Sequence, residues 1–189
     1  MQHKPDYTDY LESHFKKTDK DWVDTPIVHN LQIRSFQRAI SLRQIKSVVE
    51  IGCGAGHLAA KIPDDIKYTG FDKSTTGLSK CKERRPSGDY VYGDIRDSRI
   101  PTADLVICFA VMKHFGLHEW KDILKRVLSL APYGLFSIPV GAEVKDDGID
   151  FPHVWVTDEF LQNTLKELGY RIIFIDSSFC EWDIFVEKA

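Results

Sequence analysis

Short apolar runs alternate with amphipathic stretches along most of the chain. Residues 48–51, 68–71 and 90–92 are β-branched or aromatic runs bounded by glycine and polar residues, which predicts three short strands. Residues 104–110 (DLVICFA) are nearly all apolar, as a central strand buried on both faces should be. Residues 134–140 predict a fifth strand. The intervening stretches carry the helical period. In 29–42, Leu31, Phe36 and Ile40 point inward; in 118–130, Trp120, Ile123, Leu124, Val127 and Leu128 recur at three- and four-residue steps. Residues 57–61 start a helix that Pro63 stops, and Ser74 caps another reaching about Arg84. Thr157 caps a helix whose face is Phe160, Leu161, Leu165 and Leu168, with Gly169 as its stop.

The C-terminus breaks the alternation. Strands are expected over 170–176 and 182–187, with only the five residues 177–181 between them. A parallel crossover needs a dozen or more residues, so these two strands must be antiparallel. The expected fold is a three-layer α-β-α, Rossmann-like one. Its sheet is seven-stranded and mostly parallel, with an antiparallel C-terminal strand. Residues 29–189 form one domain, a size that suits a single core. Residues 1–28 are polar with scattered aromatics (Tyr7, Tyr10, Phe15, Trp22) and read as either a surface arm or a lid.

Composition narrows the class. The chain is 43% hydrophobic and 28% charged, with a net charge of -3, which argues against a nucleic-acid binder. The basic run from Lys80 to Arg85 reads as a solvated helix end. Cysteines 53, 81, 108 and 180 match no zinc or disulfide spacing, so no metal is expected; Cys53 and Cys108 read as small buried residues. Neither a secretory leader nor a membrane-length apolar run is evident, and a reducing cytoplasm is the expected location.

The segment VVEIGCGAGH carries the chemistry. A strand meets Glu50 and then Gly52, Gly54 and Gly56. Such a strand-to-loop turn is how α/β folds bring backbone close to a nucleotide. A dinucleotide fingerprint would place its third glycine at position 57, which is His57 here, so a nicotinamide oxidoreductase is the weaker reading. No Gly-Lys-Ser/Thr follows, which excludes a P-loop.

VVEIGCGAGHLAAKI resembles the first motif of the class I S-adenosylmethionine-dependent methyltransferases, and the remaining motifs follow in order. YTGFD resembles the second-strand motif, which implies that Asp72 binds ribose hydroxyls, with Lys73 beside it. YVYGDIRD resembles the third-strand motif, implying that Asp94 and Ile95 meet the adenine. DLVICFAVMKHF, with Phe109, resembles the segment that runs beside the donor methyl. APYGLFSIPV resembles the fifth-strand segment. The resemblance spans about residues 29–189 and implies S-adenosyl-L-methionine as cofactor and S-adenosyl-L-homocysteine as product. It also implies that Glu50, Gly52, Cys53, Gly54 and Gly56 line the donor site. For the cofactor's carboxylate, the candidates are Arg34, His57 or the helix N-terminus at His57.

Methyl transfer from a sulfonium is an in-line displacement that alignment alone accelerates; a base is needed only if the acceptor must lose a proton. The base candidates are His114 and His153, on loops leaving the same sheet edge as the glycine loop. Lys113, Asp146, Asp147 and Asp150 lie near them, and Phe115, Phe151 and Trp155 are candidate pocket walls. Phe109-Ala110-Val111-Met112 stands where DNA-amino methyltransferases carry a Pro-Pro segment, so a small-molecule acceptor is the default, with peptide or RNA acceptors left open. The alternative class is a non-catalytic cofactor-binding or scaffold protein on the same fold. The oligomeric state is not encoded in any motif.

Overall fold

A computed structural model describes residues 7–17, 26–96, 99–146, 154–178 and 181–189. In chain order the elements are α1 (Tyr7–Lys17), α2 (Pro26–Leu42), β1 (Ser47–Ile51), β2 (Lys67–Asp72), α3 (Thr75–Arg84), β3 (Asp89–Tyr92) and β4 (Leu105–Cys108). Then come α4 (Leu117–Leu128), β5 (Tyr133–Pro139), β6 (Lys145–Asp146), β7 (Val154–Trp155), α5 (Asp158–Glu167), β8 (Tyr170–Ser178) and β9 (Glu181–Lys188). The main sheet has seven strands in the order β3-β2-β1-β4-β5-β9-β8. β1 to β5 pair in parallel, and β9 is inserted antiparallel to both β5 and β8. This is the expected Rossmann-like methyltransferase architecture.

Each face of the sheet carries its own core. One is built around Val49, Val106, Phe136 and Val186 under the amphipathic stripe of α4. The other is built around Val48, Leu105, Leu135 and Phe185 under Phe36 and Ala39 of α2. Both cap readings hold: Ser74 Oγ accepts from Gly77 N at 2.9 Å, and Thr157 Oγ1 accepts from Phe160 N at 3.1 Å. Gly169 ends α5 with φ 77°.

Three expectations need correction, and one small sheet was not foreseen. α2 begins at Pro26, earlier than residue 29, and its buried positions are Gln32, Ser35, Phe36 and Ala39; Leu31 and Ile40 are half-buried. The segment after the glycine loop forms a single 3-10 turn, Ala59–Lys61, because Pro63 leaves too few residues to nucleate an α-helix. A small two-stranded sheet, β6 with β7, lies beyond β5 and carries no alternation long enough to see in the sequence. The end of α3 is not simply solvated. Cys81 is buried, and Arg85 is 5% exposed with its guanidinium donating to the carbonyls of Ala59, Ile62, Pro63 and Ile66. One residue thus satisfies carbonyls that a longer helix would have paired internally.

A buried acid row crosses the α2 face of the sheet. Asp183 of β9 sits opposite Ser137 of β5 and Asp176 of β8. Ser35 Oγ of α2 donates to Asp183 at 3.0 Å and to Asp176 at 3.2 Å. Burial, assisted by Asp176 and Glu181, pushes the Asp183 carboxyl up to about 7. Its folded value therefore exceeds its unfolded one. The folded state binds the proton more tightly, so this contribution is full below about pH 4 and is lost as pH rises through about 7. Asp183→Asn should flatten the stability–pH curve over that window and raise stability at pH 8. A rise from the ordinary carboxyl range to about 7 corresponds to about 4 kcal/mol as an upper bound. Thermal melts of both proteins from pH 4 to 8 check this, and parallel curves would refute it.

Candidate functional site: a glycine cradle at the sheet edge

The C-terminal ends of β1, β2 and β4 converge on the loop from Gly52 to Gly56. Gly52, Gly54 and Gly56 have φ of 73°, 50° and 82°, the left-handed region that glycine enters without strain. Two of them are also fixed by space. A Cβ on Gly52 would lie 2.2 Å from Val111 Cγ2, and one on Gly56 would lie 2.7 Å from Cys81 Cα. The loop after β4 and helix α3 thus press directly on the glycine loop. Gly52 N and Cys53 N donate to Phe71 O, pinning the loop to β2.

Asp72, at the end of β2, organises this loop. It is 7% exposed; its Oδ2 accepts from Gly54 N at 2.8 Å and its Oδ1 from Ser74 N at 2.8 Å. Glu50 is buried in β1 and accepts from Tyr68 Oη at 2.6 Å. Burial and the Glu50 charge push the Tyr68 phenol well above its ordinary range, so it stays a donor. Burial likewise raises the Cys53 thiol, leaving it a packing group.

The β3 end carries a charge chain. Asp94 meets Lys73 Nζ at 3.0 Å and Arg96 Nη1 at 2.9 Å, and Arg96 continues to Glu119 at the start of α4. Burial acts to raise the Asp94 carboxyl, but the Arg96 backbone N–H and Lys73 outweigh it and hold it below the usual range. Ile95 is buried beside it, and Phe109 is buried at the end of β4. Ala110 follows with φ 57°, the sole non-glycine positive φ among the described residues. Its N–H donates to Ser137 Oγ at 2.7 Å. That strained turn aims the 3-10 turn Met112–His114 along the sheet edge. Lys113 Nζ lies 3.9 Å from Glu181, and both side chains are largely buried.

The candidates separate accordingly. Glu50, Gly52, Cys53, Gly54, Gly56 and Asp72 meet in one cradle, with Lys73, Asp94, Ile95 and Phe109 on the neighbouring strand ends. His114 is half-buried on the loop after β4. Arg34 is exposed on α2 and makes no ion pair among the described residues. His153, Asp147, Asp150 and Phe151 lie outside the described residues, as do residues 1–6 and 18–25 of the expected arm.

Helix α1 supplies contacts that no motif announced. Phe15 is 2% exposed and packs with Ala55 of the glycine loop. Glu12 Oε1 accepts from Thr75 N at 2.5 Å and its Oε2 from Thr76 Oγ1 at 2.6 Å, capping α3 beside Ser74. A carboxylate at a helix N-terminus completes unpaired N–H groups and opposes the dipole. Glu12→Ala should cost about 1 kcal/mol and loosen α1 from the loop. Hydrogen exchange at Thr75 and Thr76 reads this out, and unchanged protection would dismiss the cap.

Comparison with known proteins agrees with this geometry. Residues 48–134 match the family model described as a methyltransferase domain. Trans-aconitate 2-methyltransferase of Escherichia coli O139:H28 is 23% identical over 158 residues, covering 79% of this chain and 61% of that protein. Protein 235L of Invertebrate iridescent virus 6 is 27% identical over 104 residues, 50% of this chain and 39% of that protein. The chain thus spans less than two thirds of the length of either relative. Among solved structures, magnesium protoporphyrin IX methyltransferase (ChlM) from Synechocystis PCC 6803 with bound SAH superposes with a TM-score of 0.76. It is 14% identical over 97% of this chain and 98% of that one, a likeness of fold. The fold and its glycine cradle define a Rossmann-like α/β domain. Residues 48–134 carry the match to a methyltransferase domain, and the chain shares the fold of the solved methyltransferase structure.

Proposed function

We propose that the chain is an S-adenosylmethionine-dependent methyltransferase acting on a small-molecule acceptor. The observation that carries this reading is the glycine loop. It has three left-handed glycines, and its Gly54 N–H is held by the Asp72 carboxylate at the adjoining strand end. The residues fit the cofactor. Glycine backbone lets the amino-acid portion approach, Asp72 sets carboxylate oxygens at the strand end where ribose hydroxyls would lie, and Asp94 with Ile95 offers an acceptor and an apolar wall to adenine. When bound, S-adenosylmethionine supplies an electrophilic methyl on a sulfonium.

The chain's own contribution is alignment. The Ala110–His114 turn forms one wall beside the cradle, fixed by the Ser137 hydrogen bond. Helix α1 covers the other side through Phe15 and Glu12, serving as a lid that excludes water. His114 is the base candidate within the described residues; His153 remains a second. Support for a small acceptor comes from trans-aconitate 2-methyltransferase and magnesium protoporphyrin IX methyltransferase, both named for small acceptors. No helix among the described residues is long and apolar enough to cross a membrane.

Two measurements test the reading. Calorimetry should show binding of S-adenosylmethionine and S-adenosylhomocysteine. Transfer of a labelled methyl into a metabolite extract should then yield a labelled small molecule by mass spectrometry. Cofactor binding with no labelled product from any extract favours the non-catalytic alternative. Once an acceptor is known, loss of a base, through His114→Ala or His153→Ala, should lower turnover by about 10²–10⁴-fold and shift the pH profile. Full turnover in both variants assigns catalysis to alignment. Removing residues 1–20 should harm turnover more than cofactor affinity; an equally active truncated chain would make the arm a surface tail.

A further inference from the structure

The Ala110–His114 turn is tied near both ends to one carboxylate on β9, the last strand in the chain. At its start, the Ala110 N–H donates to Ser137 Oγ at 2.7 Å, and the Ser137 hydroxyl donates in turn to Glu181 Oε1 at 3.3 Å. Near its end, Lys113 Nζ lies 3.9 Å from the same Glu181 Oε1. Glu181 stands opposite Pro139, the C-terminal residue of β5, so it sits at the functional edge of the sheet. The Lys113 and Glu181 side chains are only 18% and 16% exposed, so salt screens their attraction less than it would on open surface.

Each tether answers a physical need. Ala110 has φ 57°, which an L-residue holds only when its surroundings impose it. A serine hydroxyl is a rotor with one proton and two lone pairs. Giving that proton to the Glu181 carboxylate leaves a lone pair for the Ala110 N–H and makes the oxygen a stronger acceptor. Lys113 draws the same carboxylate toward the far end of the turn. The cradle feels what this clamp fixes. Val111, between the two tethered residues, fills the space that a Cβ on Gly52 would need, so a shift of the turn opens a gap at the glycine loop. His114, the base candidate, directly follows Lys113.

Resting on the proposed function, we infer that Glu181 is a positioning residue for methyl transfer. Acting through Ser137 and Lys113, it sets where the turn and His114 stand relative to the donor methyl.

The test needs no acceptor. Glu181→Ala removes both tethers; Glu181→Gln keeps an oxygen for Ser137 and loses the charge that Lys113 meets. In the unliganded protein, Glu181→Ala should speed amide hydrogen exchange at Ala110 about tenfold or more, with Glu181→Gln between it and the parent. At saturating S-adenosylmethionine labelled with carbon-13 on the methyl, the methyl NMR signal should shift or broaden in Glu181→Ala. Adding Ala110→Gly to that variant should return the signal toward the parent's, since glycine holds φ 57° without a clamp. A residue that merely stabilises the sheet would leave the methyl signal unmoved and gain nothing from Ala110→Gly. Parent-like exchange at Ala110 in Glu181→Ala would overturn the assignment, as would an unmoved methyl signal. So would a double variant no closer to the parent than Glu181→Ala alone. A parent protein that binds no S-adenosylmethionine would instead overturn the proposed function, and the exchange comparison would still judge the clamp.

Discussion

Asp72→Asn should weaken S-adenosylhomocysteine binding by at least 10²-fold and lower the melting temperature of the unliganded protein. The carboxylate is buried and holds Gly54 N and Ser74 N with separate oxygens. Asparagine keeps the shape but presents an amide NH2 to one of those two donors. That N–H is left unpaired, at about 1–3 kcal/mol, and the charge that strengthened the other bond is lost. A stability loss of roughly 2–4 kcal/mol lowers the melting temperature by about 5–15 °C in a domain of this size. Ribose binding falls separately. Each hydroxyl bonded to an ionised acceptor contributes about 1.5–3 kcal/mol, and two of them account for 10²-fold or more. Calorimetric titration and differential scanning separate the two effects. Unchanged affinity in a variant that folds would remove Asp72 from the cofactor site.

Arg85→Met should lower the melting temperature by roughly 10 °C. The guanidinium donates to four carbonyls of the 59–66 turn and lies 5.4 Å over the Tyr68 ring. Methionine fills comparable space and donates nothing, so buried carbonyls lose their partners. A cost of about 3–5 kcal/mol fits the loss of a buried charged network and gives that temperature shift. Arg85→Lys should recover less than half of it, because an ammonium cannot span carbonyls that a planar fork reaches together. The turn follows the glycine loop directly, so cofactor affinity should fall alongside stability. A lysine variant as stable as the parent would show that charge alone, without the fork, holds the turn.

The strands themselves, the antiparallel end and the glycine cradle were legible along the chain because each rests on local chemistry. Apolar run length sets the strands, Ser74 and Thr157 cap where their side chains reach the next turn, and 177–181 is too short for a crossover whatever surrounds it. The acids at the ends of β2 and β3 were legible by their position after a strand. What tertiary structure decided is where long side chains end up. Arg85 belongs to a basic run, and nothing local distinguishes it from Arg84; it is buried because a turn some twenty residues earlier has carbonyls without partners. Glu12 caps a helix more than sixty residues away. Gln32 and Arg34 are two steps apart on one helix, and the helical period puts one in the interior and the other in solvent. Local pattern fixes backbone elements because hydrogen bonding and sterics act over a few residues. Which polar side chain is buried, and against what, depends on packing between elements distant in the chain.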